Sequence, residues 1–490
     1  MPQERRGRTS AMLPQGVRTG PFPGAGPSVR TNMKRPGQGS SERDTPGATR
    51  PQDKVRNLQG KLYTAAKANP TRRFGAIRDR VTRWDVLQMA WEEVRSNRGA
   101  PGVDGVTISA VEEQGVEAFL QELQASLRNG TYRPLPVRRV MIPKRSGGQR
   151  GLGIPTVRDR VAQAAVKLVI EPIFEADFLP CSYGYRPGRS AQDAAKEVRR
   201  WLTVGLENVL DADIKSCFDR IPHDRLLEAV AERISDGYVL KLVKMWLKSG
   251  VMVDGGVEAT ETGTPQGGVL SPLLANVYLH RLDAEWERRG MAYGWRADAR
   301  LVRYADDFVI LSGKSVRPLV PVVRELLDGM GLTLNVEKSR VVRAKQGFNF
   351  LGFRFVCRRS RRDGKRKAYY FPSPEAVKRV KEKVRGQCGN HMLHVEVEEV
   401  VRVVNNVLRG WTAYYRLSNV SRTFTKVQWY AENRLRRFLR RRRNNAGFGH
   451  YRDCTSEYLH GELGLYDMVS HIPAHGPSRE QSRERGRRAG

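Results

Sequence analysis

The sequence predicts an α+β protein with a helical, basic C-terminal region, and three observations carry that prediction. Short strand-like runs, Val137 to Lys144, Asn208 to Asp213, Leu301 to Leu311 and Phe348 to Phe355, lie among longer stretches whose apolar residues recur at helical spacing. Beyond Pro374 the strand signal ceases while helical spacing and arginine continue. Two of the strand-like runs carry aspartates at an end or a turn, which puts charge where a sheet edge can present it.

Residues 1–55, rich in Pro, Gly, Ser and Arg and without apolar periodicity, read as a disordered basic tail. Helical spacing begins at Val55 and includes Val86, Leu87, Ala90, Trp91 and Val94. Glycines and a proline between Asn97 and Gly105 break it, and Val116, Phe119, Leu120, Leu123 and Leu127 mark the next helix. A hairpin follows, with Val137 to Lys144 and Arg150 to Pro155 joined through Ser146 to Gln149. Helices are expected over Arg158 to Ile170, from Ser190 to Leu202, and after the strand Asn208 to Asp213 as far as Ser249. Gly263 to Asp283 reads as a glycine-rich loop followed by an amphipathic helix. Next come a hairpin over Leu301 to Leu311 with its tip near Asp306, a helix over Leu319 to Met330, and one strand, Phe348 to Phe355. Basic helices are expected over Glu375 to Arg385, His394 to Leu408 and Phe424 to Arg443. Residues 473–490 read as a second disordered tail.

Composition limits what such a fold does. A chain of 490 residues holds two to four domains and at least one large core. Its 86 Lys and Arg against 52 Asp and Glu leave a formal charge of +34. Repulsion on that scale opposes compaction unless a polyanion is bound. Arginine pairs with phosphate and stacks on bases, so nucleic acid is the expected partner. A membrane is not expected, since no apolar run reaches the ~18 residues of a span. The basic start is followed by no apolar segment of a secretory signal. The five cysteines, widely separated, form neither a Cys-x-x-Cys zinc pair nor a disulfide framework, which suits a reducing compartment. A cytoplasmic protein, drawn to the nucleoid by DNA targets, is the expectation.

Leu301 to Leu311, LVRYADDFVIL, sets apolar flanks around Asp306 and Asp307. Adjacent carboxylates at a tip repel and lose solvation, a cost that a divalent cation offsets. An exposed acidic turn is the ordinary reading of such a pair. A second acidic strand end, DADIKSCFD from Asp211 to Asp219, shifts the balance, with Asp211, Asp213 and Asp219 competing as ligands. Asp213 and Asp306 are 93 residues apart (306 − 213), so the fold must bring them together. In GTPQGGVLSP, Gly263, Gly267 and Gly268 let backbone approach a ligand, Pro265 stiffens the turn, and Gln266 offers an amide.

These strings, in this order, resemble the bacterial group II intron-encoded reverse transcriptases and maturases, over about Val81 to Asp467. NRGAPGVDG is similar to the family's N-terminal block, IPKRSGGQRGLGIPTVRDRVAQ to its finger hairpin, and CSYGYRPGRS to the block after it. DADIKSCFD, GTPQGGVLSP and YADD follow in the family's order, then NVEKS and FLGF. VNNVLRGWTAYYR is similar to the maturase segment called domain X. The fold implied is a right-hand polymerase: N-terminal extension and fingers over 56–205, palm over 206–373, and an α-helical thumb or domain X over 374–472.

The activity implied is RNA-directed DNA polymerisation by two-metal-ion nucleotidyl transfer, joined to binding of group II intron RNA that promotes splicing and retrohoming. Asp213, Asp306 and Asp307 would be the catalytic metal ligands, holding two Mg²⁺ ions for which Mn²⁺ can substitute. No zinc is expected. Lys144, Arg150 and Arg160 would meet the triphosphate or template, with Gln266 and Gly267 at the nucleotide. Phe218, five residues after Asp213, would lie beneath the incoming sugar and exclude a 2′-hydroxyl, with ordinary core packing as its other reading. Arg186, Trp411, Arg440, Arg441, Arg442 and Arg443 are the candidate nucleic-acid contacts, although Trp411, Tyr414 and Tyr415 at helical spacing suit a thumb core better than a stacking platform. Lys338 is the candidate general acid. The partners implied are intron RNA, an RNA template, a DNA primer or target, and deoxynucleoside triphosphates; a homodimer is left open.

The chain departs from the family in places. Gly151 stands where the family usually has Pro and Tyr185 where it often has Phe, neither being expected to touch the chemistry. Many relatives end in an HNH-type endonuclease with paired cysteines on zinc. Only Cys454 lies in the last hundred residues, so that domain is not expected. Two other readings stay open: an RNA-folding maturase with a vestigial polymerase, and a reverse transcriptase recruited to DNA repair or phage defence. The intact carboxylates and glycine loop argue against the first.

Overall fold

The computed structural model describes residues 50–143, 147–253, 256–258, 262–263, 267–291, 299–360, 363–442 and 454–472. Pro51, whose missing N–H costs nothing in a first turn, opens helix α1 (Pro51–Ala68). The end of the expected basic tail is therefore helical; its earlier part, like the tail from 473, lies outside the described residues. After α2 (Arg78–Val81), α3 (Trp84–Ser96) buries Val86, Leu87, Ala90, Trp91 and Val94, the residues whose spacing predicted it. Thr107 caps α4 (Ile108–Gln114), and Gly130 ends α5 (Val116–Asn129) in the left-handed region at φ 74°. The hairpin β1 (Val137–Pro143) and β2 (Gln149–Ile154) sets Met141 opposite Gly151. Then α6 (Val157–Glu175) runs through the interior, apolar almost all round, with α1 and α3 packed on it. A reciprocal Ser190–Asp193 capping box starts α7 (Ala191–Val204).

The central sheet comes next. β3 (Asn208–Asp213) leads into α8 (Cys217–Arg220), α9 (His223–Ala231), α10 (Gly237–Leu247), the short strands β4 (Val251–Val253) and β5 (Gly256–Glu258), and α11 (Ser271–Arg288). β6 (Ala299–Tyr304), β7 (Asp307–Ser312), α12 (Leu319–Gly329) and β8 (Arg340–Arg343) complete it. The order is β6-β7-β3-β8, every pair antiparallel. Strand alternation divides its apolar residues between two cores. Leu210, Ala212, Leu301, Phe308 and Ile310 join α6 and α9 to α12, while Val209, Val302, Val309 and Leu311 join α7 and the segments after β8. Because β1 also pairs in parallel with β4, the sheet β2-β1-β4-β5 ties the early hairpin to the chain after α10.

The run Phe348 to Phe355, expected as one strand, is a hairpin of β9 (Phe348–Phe350) and β10 (Phe353–Arg359). Leu351 and Gly352 turn at φ 50° and 77°, the two positive values of a two-residue hairpin loop. A leucine in that place gave no turn signal. A strand not expected from the sequence, β11 (Arg366–Pro372), pairs along β10 and packs on α7. The helices expected beyond it are α13 (Pro374–Gln387), α14 (Val397–Tyr415) and α15 (Ser421–Arg442), with α13 against both others.

Candidate active site

Asp213, the last residue of β3, stands directly opposite Asp307, the first of β7, and Asp306 precedes it in the turn from β6. Alternation along β3 puts Asp211 on the same sheet face as Asp213, and its register partner on β8 is Arg340. Four carboxylates thus gather at one sheet end. Enclosure by protein, with Asp306, Asp213 and Asp211 adding their charge, pushes Asp307 up to about 7. Its surface at the tip is nonetheless open to water, which screens that effect. Burial and then Asp213 raise Asp306, against Arg150 and Lys338, which lower it. Asp211 is pushed up to about 6 by burial, Arg340 opposing.

The Asp213 carboxylate accepts from Asn335 Nδ2 at 2.8 Å and lies 3.2 Å from Lys338 Nζ. Among the described residues no three Asp, Glu, His or Cys side chains already converge as a metal cage. The donors at this sheet end are all oxygen, which suits hard divalent cations.

Beneath the turn lies a group that sequence reasoning passed over. Arg303, on the opposite sheet face, is fully buried against α11, its Nε 2.8 Å from an equally buried Asp283 carboxylate. Its other nitrogens donate to Asn276 Oδ1 at 3.0 Å, Ser182 Oγ at 2.8 Å and the Ala305 carbonyl at 3.0 Å. Ala305 is left-handed at φ 57°, which only a well-held turn imposes on a residue with a Cβ. Ser182 bridges to Arg303 along the backbone, and a Cβ on Gly184 would overlap the Ala305 amide. The available signals were an arginine in an apolar strand and two polar residues seven apart, Asn276 and Asp283, on one helix face.

The glycine loop packs on this assembly. Gly263, at φ 88°, lies so close to the backbone of Phe218 and Asp219 that no side chain fits, and its carbonyl accepts from His223 Nε2 at 2.6 Å. Gly267 abuts the Gly153 carbonyl of β2, and Val269 donates to Gln163 Oε1 of α6 at 3.0 Å. Phe218 is half-buried against the first core. Arg150 is exposed on β2. Tyr185, not expected to bear on the chemistry, sits at φ 55° with its ring 6.2 Å from Tyr304. Burial and the charge of Asp306 raise its phenol.

Several expected contacts are placed elsewhere. Arg186, expected on nucleic acid, is 6% exposed: it grips Glu175 at 2.6 Å and donates to the carbonyls of Leu179 and Ser182. Arg160, expected at the triphosphate or template, is buried and pins the Asn97–Gly105 loop through the Ala100 carbonyl at 2.7 Å. Trp411 is half-buried, packed on Tyr415 and Phe424 with ring centres 4.8 and 5.5 Å away, and lies against the second core. Arg440 is half-buried, Arg441 donates to Asn390 at 2.8 Å, and Arg442 pairs with Glu396 at 3.0 Å. Lys144, Gln266 and Arg443 lie outside the described residues.

An acidic sheet end flanked by a finger hairpin and followed by a helical thumb defines a right-hand polymerase of the reverse transcriptase type. Residues 142–355 match the family "Reverse transcriptase (RNA-dependent DNA polymerase)", and residues 377–458 match "Group II intron, maturase-specific domain". Protein YkfC of Escherichia coli strain K12 is 36% identical over 343 residues, covering 63% of this chain and 90% of that one. The group II intron-encoded protein LtrA of Lactococcus lactis is 28% identical over 432 residues, 71% of each chain. A telomerase structure from Candida albicans aligns at 14% identity over 76% of this chain and 69% of that one, with a TM-score of 0.37, too loose to bear on mechanism. The chain belongs to the group II intron-encoded reverse transcriptase and maturase family.

Proposed function

We propose that Asp213, Asp306 and Asp307 form a two-metal-ion centre that extends a DNA primer on an RNA template, while the helical region holds the chain's own intron RNA for splicing and retrohoming. The observation that supports it best is the register of β3 on β7, which opposes Asp213 to Asp307 with Asp306 beside them. The raised carboxyls of Asp306 and Asp307 favour a divalent cation, Mg²⁺ with Mn²⁺ as substitute, and the all-oxygen donor set disfavours zinc. When bound, the two cations would lower the pKa of the primer 3′-hydroxyl and neutralise the leaving pyrophosphate.

The remaining work falls to side chains. Asp213 would exchange the Lys338 ammonium for a cation, and Lys338, more than half exposed, would then serve the leaving group as general acid. Arg150, whose charge reaches Asp306, would receive the triphosphate. Phe218, on the short helix α8 after Asp213, would exclude a 2′-hydroxyl. Arg303 is a positioning residue that holds the Ala305 carbonyl, and hence the angle of the turn.

Primer extension on an RNA template with Mg²⁺, with RNA affinity measured alongside, tests the reading. Asp213→Ala should lose extension by orders of magnitude and keep RNA affinity. Substantial residual extension would move the assignment to Asp211 or Asp219. Asp306→Ala should still support splicing; loss of splicing there would sink the division of labour.

A further inference from the structure

On α15 the packed face is Phe424, Val427, Gln428, Ala431, Leu435, Phe438 and Leu439. Its outer face carries Arg422, Lys426, Trp429 and Arg437 at intervals of four, three and eight residues, one stripe along the helix. All four are exposed, and Trp429 leaves 62% of its surface in water. Among the described residues none of the three cations has an ion pair or a side-chain hydrogen bond. The helix has one acid, Glu432, and it is turned inward to Arg436 at 3.2 Å and His460 at 3.3 Å. On the neighbouring α13, Lys381 lies over the Tyr430 ring at 5.1 Å, bringing another cation beside the stripe.

We propose that this stripe is a docking surface for single-stranded RNA, on which Trp429 stacks against an unpaired base while Arg422, Lys426 and Arg437 hold the phosphates on either side. It rests on the reading of the chain as an RNA-binding protein and gives that binding a place and a mode. Charge complementarity selects the partner: every charge on the face is positive, and at about 1.5 Å per residue step the 15 steps from Arg422 to Arg437 (437 − 422) cover about 22 Å of phosphate backbone. A protein partner would be met by grouped apolar residues, yet Trp429 is the one exposed large hydrophobic residue described on α15. A duplex hides its base faces in the stack, and an indole so exposed needs a free one. Trp411, which the resemblance offered as a contact, is half-buried against Tyr415 and Phe424, whereas Trp429 presents an exposed ring.

The test uses the full chain and a short unstructured RNA with 2-aminopurine at its centre, alone or annealed to its complement. Wild type should bind the single strand and quench the probe. Trp429→Ala should abolish the quench and weaken binding to the single strand by roughly tenfold, with the duplex unaffected. Trp429→Phe should retain most of both. The triple variant Arg422→Gln, Lys426→Gln, Arg437→Gln should keep the quench at saturation and flatten the log–log salt slope by about two units. Wild-type quench and affinity in Trp429→Ala, or an unchanged slope in the triple variant, would overturn the proposal and leave a protein partner for this face. Wild type that bound neither RNA would sink the RNA-binding reading itself.

Discussion

At the tip of β6 and β7 charge is crowded and fixed: Asp306, Asp213 and Asp211 add to the burial that raises Asp307, and Arg303 beneath them is locked to Asp283. Along the outer face of α15 charge is spread and free, each cation a turn or more from the next and open to water. The first arrangement costs folding energy, because buried or opposed charge is poorly solvated. The second costs almost nothing. Bond-making chemistry needs atoms held in one geometry, whereas adhesion to a polyanion needs only cations in reach. A change at the tip should therefore be severe and specific, and a change on α15 shallow and graded.

The largest expected effect is at the turn. Asp306→Ala should reduce Mg²⁺-dependent extension by roughly a thousandfold or more, with RNA affinity near wild type. Parallel loss of affinity would mean that the tip also anchors RNA, and the contrast would fail.

Next in size is the lock beneath it. Arg303→Met leaves the Asp283 carboxylate buried and unpaired, which costs about 3–5 kcal/mol and should appear as a lowered Tm. Adding Asp283→Leu should restore most of the stability, since an apolar pair of similar volume is tolerated there. The rescued protein should still have a depressed kcat with little change in KM, because the Ala305 carbonyl has lost its donor. Full recovery of kcat would reduce Arg303 to scaffolding.

A smaller effect depends on pH. Asp307 is pushed up to about 7, above an ordinary carboxyl near 4. The folded state therefore favours its protonated form. The stability this gives is fully present below about pH 4 and is lost as pH rises through about 7. Metal-free protein should melt lower at pH 8 than at pH 5, Asp307→Asn should shrink that difference, and Mg²⁺ should raise the Tm chiefly at the higher pH. A pH profile of Tm identical in Asp307→Asn would refute the assignment. The smallest effect should be a single outer cation: Arg437→Gln should lower the salt slope of RNA binding by about one unit or less. A loss as large as that at Asp306 would make α15 part of the chemistry.

Much of this was legible in the sequence. The three-helix end and the acidic strands followed from spacing, because apolar periodicity reports which face of an element is buried. What stayed hidden were partners far apart in the chain. Arg186 stands in a polar loop and looks exposed, yet Glu175 and two carbonyls enclose it. Arg303 reads as a flaw in an apolar strand until Asp283 and Asn276 are placed beside it. Trp429 carries no motif in the sequence, and only burial shows that it faces outward.

The strand order has a consequence for synthesis. β3 sits between β7 and β8, and the nearer of these in sequence begins 94 residues after β3 ends (307 − 213). At about 5–20 residues per second a nascent chain carries β3 for about 5–19 s with both of its edges bare. In that interval a neighbouring chain on the same messenger can pair with it. Soluble yield should therefore respond to synonymous codons. A ribosome that pauses over α9 or α10, which hold none of the four aspartates, should then change how much of the chain arrives folded.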